Sequence, residues 1–179
     1  MISELARADL VLDIVDAALG ESAEPQSCAA DLGQLPAGIA LTLVFNKIDL
    51  TAMPAALDDA AHRGAEAVYC LGDMGAFGPH PDRVFPLLHE HGVQCIQGTY
   101  DHSIGNGLGD CQCGYTDPRD NHFARLSYAY TLANTSPANR AWLRDLPPQR
   151  RIELGAYRLL LCHGSPRRTN EFLWESTTS

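Results

Sequence analysis

An alternation of two patterns between residues 39 and 97 most constrains what this chain can fold into. Short β-branched, apolar runs alternate there with amphipathic stretches of helical length. Ile39-Ala40-Leu41-Thr42-Leu43-Val44-Phe45 is apolar throughout and reads as a fully buried strand. Residues 54–63 read as a helix, with Pro54 in the first turn and Gly64 as the stop. Residues 65–71 repeat the strand pattern, residues 82–91 the helical one, and residues 93–97 the strand again. Such alternation builds a mainly parallel α/β sheet. An apolar run at residues 8–16, punctuated by Asp9, Asp13 and Asp16, predicts one more buried strand.

The remainder is less regular. Residues 20–38 read as loop with at most one helical turn around residues 28–32, and residues 103–122 as a long glycine-rich loop holding Cys111-x-Cys113. Helices are predicted at 124–131 and 137–145, the second N-capped by Ser136. A hairpin is predicted from 151–153 and 157–162 around Gly155, broken by Gly164-Ser165-Pro166.

Composition bounds the partners. The 179 residues are 45% hydrophobic and 20% charged, enough for a real core. Thirteen basic against 22 acidic residues give a formal net charge of -9. That charge repels nucleic acid and anionic membrane surfaces, so neither is expected as a partner, and it suits divalent cations. Met1-Ile2-Ser3-Glu4 lacks a basic leader, and no apolar run is long enough to span a bilayer. The expectation is a cytoplasmic chain whose six cysteines are reduced.

In open α/β sheets, chemistry gathers at the carboxyl ends of strands. Three apolar runs end there in polar residues: Leu71-Gly72-Asp73, Gln97-Gly98-Thr99-Tyr100-Asp101-His102, and Cys162-His163-Gly164-Ser165-Pro166. Each alone is an ordinary turn or cap. Together, an Asp, a His and a side-chain oxygen from separate strand ends can coordinate a divalent ion.

These segments, in this order and with Gly78-Pro79-His80-Pro81 between them, resemble the calcineurin-like metallophosphoesterases from about residue 57 to 179. The resemblance implies an α/β/β/α sandwich, a mainly parallel first sheet, and hydrolysis of phosphate mono- or diesters at divalent metal ions (Mn, Fe, Zn, Ni or Mg). It implies that Asp73 and His163 ligate metal, with Thr99 standing where the family has a ligating Asn. Asp101 keeps the supporting Asp of that motif, Tyr100 stands where many members have a catalytic His, and His102 follows. Arg167, Arg168 and His80 are the candidates for the substrate phosphate. Two family motifs are absent: the strand at 39–45 does not end in Asp-x-His, and the chain contains no Gly-His-x-His. The expected sandwich is therefore incomplete, with self-association through an uncovered sheet. A non-catalytic α/β module that binds a metal or a phosphate is the alternative.

The N-terminal segment resembles part of the G domain of the tRNA-modification GTPases. Residues 8–17 and Asn46-Lys47-Ile48-Asp49 after a buried strand carry that likeness. It implies guanine reading by Asn46, Lys47 and Asp49, although no Gly-x-x-x-x-Gly-Lys-Ser/Thr phosphate loop occurs in the chain. Domain boundaries are expected at 1–52 for the G-domain-like segment and 53–179 for a C-terminally incomplete phosphoesterase-like domain. The join near residues 50–55 suggests a fusion, natural or artificial, or a frameshift or assembly product. Cys111-x-Cys113 admits two readings, reduced loop thiols or a zinc site borrowing Cys162 or His163.

Overall fold

A computed structural model describes residues 10–16, 40–46, 53–62, 64–113, 115–154 and 157–171. For residues 10–16 and 40–46, and for Ala56, Leu154 and Tyr157, only the backbone is described. The turn expected at 28–32, Lys47, Asp49 and the first half of the expected join lie outside the described residues.

The apolar runs become strands β1 (Leu10–Asp16), β2 (Ala40–Asn46), β3 (Ala67–Cys70) and β4 (Gln94–Cys95). They form one sheet in the order β1-β2-β3-β4, and all three pairings are parallel. Strands from both resembled segments thus share a single ladder, with Thr42 opposite Ala67 and Phe45 opposite Cys70. The parallel register carries Asp16, Asn46, Cys70 and Cys95 to one carboxyl edge. Strand β4 is shorter than the expected 93–97, because the amide of Gln97 turns away to the Pro147 carbonyl at 2.8 Å.

Helix α1 (Met53–His62) connects β2 to β3. Its spacing explains it: Met53, Leu57 and Ala60 are buried at i, i+4 and i+7, while Asp58, Asp59 and His62 face solvent. Gly64, at φ 72°, ends it. A 3-10 turn (Pro81–Arg83) leads into α2 (Val84–Glu90), which buries Val84, Phe85 and Leu88.

Two corrections concern the stretch expected as loop at 103–122. Its first part belongs to α3 (Thr99–Asn106), which is ended by Gly107 in a left-handed conformation at φ 62°. Its last part opens α4 (Pro118–Ala133), which Asp117 caps by accepting from the amides of Arg119 and Asp120. Helix α5 (Pro137–Arg144) starts at Ser136 as expected, and the hairpin β5 (Gln149–Leu154) with β6 (Tyr157–Cys162) is antiparallel.

The sheet separates two apolar clusters because strand side chains alternate in direction. Cys70 and Cys95 join Met53, Leu57, Phe85, Leu88, Tyr100, Ile104 and Leu143 under the helices. Tyr69 and Ile96 pack on the opposite side against Ile152 and Leu161 of the hairpin. Helices therefore cover one face of the parallel sheet and a second sheet covers the other. The large apolar side chains that remain exposed among the described residues are Phe77, on a loop, and Phe123, Leu126 and Tyr130, on α4. No helix of the described residues is long and apolar enough to cross a membrane.

Candidate functional site

The site is built where β3, β4 and β6 end. Strand β3 runs into Gly72-Asp73, and both residues adopt positive φ, 106° and 60°. A left-handed Asp is tolerable but uncommon, and such outliers gather at functional positions. The β4 end supplies Gly98 and the first turn of α3. The two loops interlock without room for a methyl group. A Cβ on Gly72 would lie 2.4 Å from the Gly98 nitrogen, and one on Gly98 would lie 2.3 Å from Oδ1 of Asp73.

Asp101 locks this arrangement. It is fully buried, and its Oδ2 accepts from the amides of Asp73 (2.7 Å) and Gly98 (2.8 Å). Its Oδ1 accepts from the amide of Met74 at 3.0 Å. The bond to Gly98 also satisfies the open N-terminus of α3, as an acid at the third helical position does. Burial, then the charge of Asp73, push its carboxyl up to about 8, against three backbone donors that pull it down.

Asp73 is held at both ends. Its Oδ1 accepts from the amide of Tyr100 at 2.9 Å, which aims Oδ2 at Nε2 of His163, 3.4 Å away. His163 is fixed from behind by Nδ1, 2.8 Å from the Leu71 carbonyl oxygen. A carbonyl only accepts, so Nδ1 carries a hydrogen, and Nε2 is the ring atom turned toward the Asp73 carboxylate. Two such atoms facing each other need a proton or a cation between them. Bonds of about 2.0–2.1 Å from a tetrahedral ion place two donor atoms roughly 3.3–3.4 Å apart, the spacing seen. The ring-orienting carbonyl is also the usual support of a ligating His. Asp73 and His163 therefore fit a divalent ion as two of its ligands. Among the described residues no three His, Cys, Asp or Glu side chains come together.

The other expected site residues divide. The Thr99 hydroxyl donates to the Thr169 carbonyl at 3.4 Å, tying α3 to the loop after His163. Tyr100 contributes its amide to Asp73, but its ring lies in the core between Phe77 and Tyr128, with ring centres at 5.0 and 5.7 Å. The contacts of the His102 ring are with Gln97 and Asn106, and His80 is exposed ahead of the 3-10 turn. Arg167 forms an ion pair with Glu171 at 2.9 Å. Arg168 is exposed, and its amide donates to Ser165. Asn46 stands at the carboxyl edge of the sheet.

Sequence reasoning missed three supports. The Leu71 carbonyl is a backbone group with no signature of its own. The Ser165 hydroxyl organises its loop, accepting the amides of Arg167 and Arg168 at 3.1 Å each and donating to Glu171. The Gly-Ser-Pro that follows His163 was the available signal. Third, and against both expected readings, Cys111 and Cys113 are joined in a disulfide. Gln112, left-handed at φ 53°, folds the turn so that the two Cα atoms lie 5.2 Å apart, within disulfide reach, and the bond leaves neither sulfur as a thiolate. Cys70, Cys95 and Cys162 are free thiols.

No protein-family model matches the chain. The uncharacterized protein MJ0912 of Methanocaldococcus jannaschii is 23% identical over 127 residues, 71% of this chain and 49% of that protein. The tRNA modification GTPase MnmE of Burkholderia cenocepacia is 40% identical over 62 residues, 35% of this chain and 13% of that protein. The chain thus spans about half the length of the first relative and a small part of the second. Among solved structures, PH1004 of Pyrococcus horikoshii aligns with a TM-score of 0.56 at 24% identity, covering 72% of this chain and 56% of that one. A metallophosphoesterase of Sphaerobacter thermophilus aligns with a TM-score of 0.51 at 24% identity, covering 74% and 50%. The chain has an α/β fold of the metallophosphoesterase kind, and the GTPase match bears out the second resemblance.

Proposed function

We propose that this chain binds a divalent metal ion through Asp73 and His163 and acts on phosphate esters of small molecules. The observation that carries this reading is the convergence of Asp73 Oδ2 and His163 Nε2 at 3.4 Å, each fixed from behind by a backbone group. An ion held there supplies Lewis-acid polarisation of a phosphoryl oxygen. Asp101 positions Asp73 through the backbone, and Thr99 holds the neighbouring loop. Because Arg167 is committed to Glu171, Arg168 is the arginine assigned to the substrate phosphate. The 53–179 segment carries this site, and the strands at 10–16 and 40–46 extend its sheet.

The test measures Mn²⁺ binding by calorimetry and hydrolysis of bis(p-nitrophenyl) phosphate on the full chain and on Asp73→Asn. Binding and turnover that both fall at least about tenfold in Asp73→Asn support the reading. Binding without turnover in the parent chain leaves a non-catalytic metal site. Equal binding in the two proteins defeats both.

A second reading, guanine-nucleotide binding through Asn46, Lys47 and Asp49, is favoured by the 62-residue GTPase match. A melting-temperature rise with GTP and none with ATP supports it, and equal shifts sink it.

A further inference from the structure

The Cys111–Cys113 disulfide takes no part in the reading above. It borders a cavity of about 370 Å³, lined also by Asp110, Asn121, Arg125 and Asn170. The two residues are unequally exposed: Cys111 is buried, Cys113 only partly. The turn is also tied to both halves of the candidate metal site. The Ser103 hydroxyl, on the helix that carries Thr99 and Asp101, donates to the Cys111 carbonyl at 3.1 Å. Asn170, in the loop that begins at His163, donates through Nδ2 to the Gln112 carbonyl at 3.1 Å.

We propose that Cys111–Cys113 is a thiol–disulfide exchange site for a zwitterionic low-molecular-weight thiol, and that Gln112 and Asn170 pass its state to the His163 loop. The cavity supplies the recognition chemistry. Arg125 matches a carboxylate, Asp110 an ammonium through the Oδ2 that the Gln112 amide leaves open, and Asn121 an amide N–H through Oδ1, its Nδ2 being held by the Tyr115 and Asp117 carbonyls, as in cysteine and its peptides.

Access selects the order of steps. The incoming thiolate attacks Cys113 Sγ, the Cys111–Cys113 bond breaks, and Cys111 leaves as a thiolate that takes up a proton. A second molecule of the same thiol, as its thiolate, then attacks the mixed disulfide, releases Cys113, which also takes up a proton, and departs as the small-molecule disulfide. Two electrons and two protons have then passed to the protein, and that small disulfide drives the reverse reaction.

Reduction removes the bond that closes the three-residue turn. Gln112 holds a left-handed backbone there, which a side chain with a Cβ adopts reluctantly. Once it relaxes, the carbonyl that accepts from Asn170 moves and the His163 loop loses that tether. The Ser165 and Glu171 amides, both bonded to the Arg168 carbonyl, report on the loop.

The experiment equilibrates the full chain in reduced and oxidised glutathione, quenches with an alkylating reagent and maps the modified cysteines by mass spectrometry. Expected are a disulfide at the oxidised end, alkylated Cys111 and Cys113 at the reduced end, and a glutathione adduct on Cys113 between them. Hydrogen exchange at Ser165 and Glu171 should quicken about tenfold on reduction, and oxidised Asn170→Ala should exchange as fast as the reduced parent. A pair that stays oxidised across the series, or an adduct confined to Cys111, overturns the exchange site. Unchanged exchange at 163–171 on reduction, or in Asn170→Ala, overturns the coupling. None of these readouts depends on phosphoesterase activity or on bound metal.

Discussion

A methyl group on Gly98 would sit 2.3 Å from Oδ1 of Asp73 and 2.5 Å from its amide nitrogen. The nitrogen is backbone, pinned by Asp101, so it cannot rotate aside. Gly98→Ala is therefore expected to cost at least about 3 kcal/mol of stability, at the upper end of overpacking effects. Gly64→Ala supplies the contrast, since Gly64 has φ 72° and open space where a Cβ would stand. That substitution carries strain without collision and should cost about 1–2 kcal/mol. Urea denaturation of both variants checks the ranking, and a Gly98→Ala no less stable than Gly64→Ala contradicts the interlock. This residue scale is also where the sequence was most informative and most incomplete. Asp73 and His163 stand out because each follows an apolar run and carries chemistry. Their supports, the Leu71 carbonyl and the Tyr100 amide, are backbone groups that every residue owns, so only the folded chain distinguishes them.

At the scale of elements, the start of α5 shows how far local signals reach. Ser136 announces the helix in the sequence, and its hydroxyl accepts from the Asn139 amide at 3.4 Å, a long bond. A stronger anchor comes from Asp82, 54 residues earlier. Its Oδ1 accepts from the Ser136 amide at 2.8 Å and from Asn139 Nδ2 at 2.7 Å. Burial alone would push this carboxyl up, yet those donors outweigh it and hold it low. Asp82→Ala leaves two donors unpartnered and should cost about 1–2 kcal/mol, more than the roughly 0.5–1 kcal/mol of Ser136→Ala. Thermal melts of the two variants measure the difference, and the reverse order would count against the long-range anchor. The same limit explains the misread stretch at 103–122. Its glycines do punctuate the chain, but Gly105 lies inside α3, where a Cβ would meet the Arg144 backbone at 2.6 Å. That glycine permits helix contact rather than marking a loop, a distinction that depends on α5 being there.

Across the whole molecule, two carboxylates share one buried strand-end site, and this links stability to pH. Asp101 is pushed up to about 8 in the folded chain, first by burial and then by the charge of Asp73. An acid whose folded value is raised favours folding while protonated, so its contribution is complete below about pH 4 and fades as pH rises toward 8. The lowered acids Asp82 and Glu171 act in the opposite sense, losing their contribution only when pH falls into the acid range. Between pH 5 and 9 the expected outcome is thus a melting temperature that falls as pH rises. A cation bound between Asp73 and His163 would offset the Asp73 charge and draw Asp101 back down. Saturating Mn²⁺ should accordingly reduce the slope, and Asp73→Asn should reduce it without metal, the part due to burial remaining. Calorimetric scans of the parent chain and Asp73→Asn, each with and without Mn²⁺, separate these effects. A melting temperature that rises from pH 5 to 9, or a slope that Asp73→Asn leaves untouched, would remove the Asp73–Asp101 coupling as its source. Linkage of this kind lets a site be detected through the stability of the fold it interrupts. The sheet edge that brings Asp73 to His163 is the same edge that obliges Asp101 to be buried beside them.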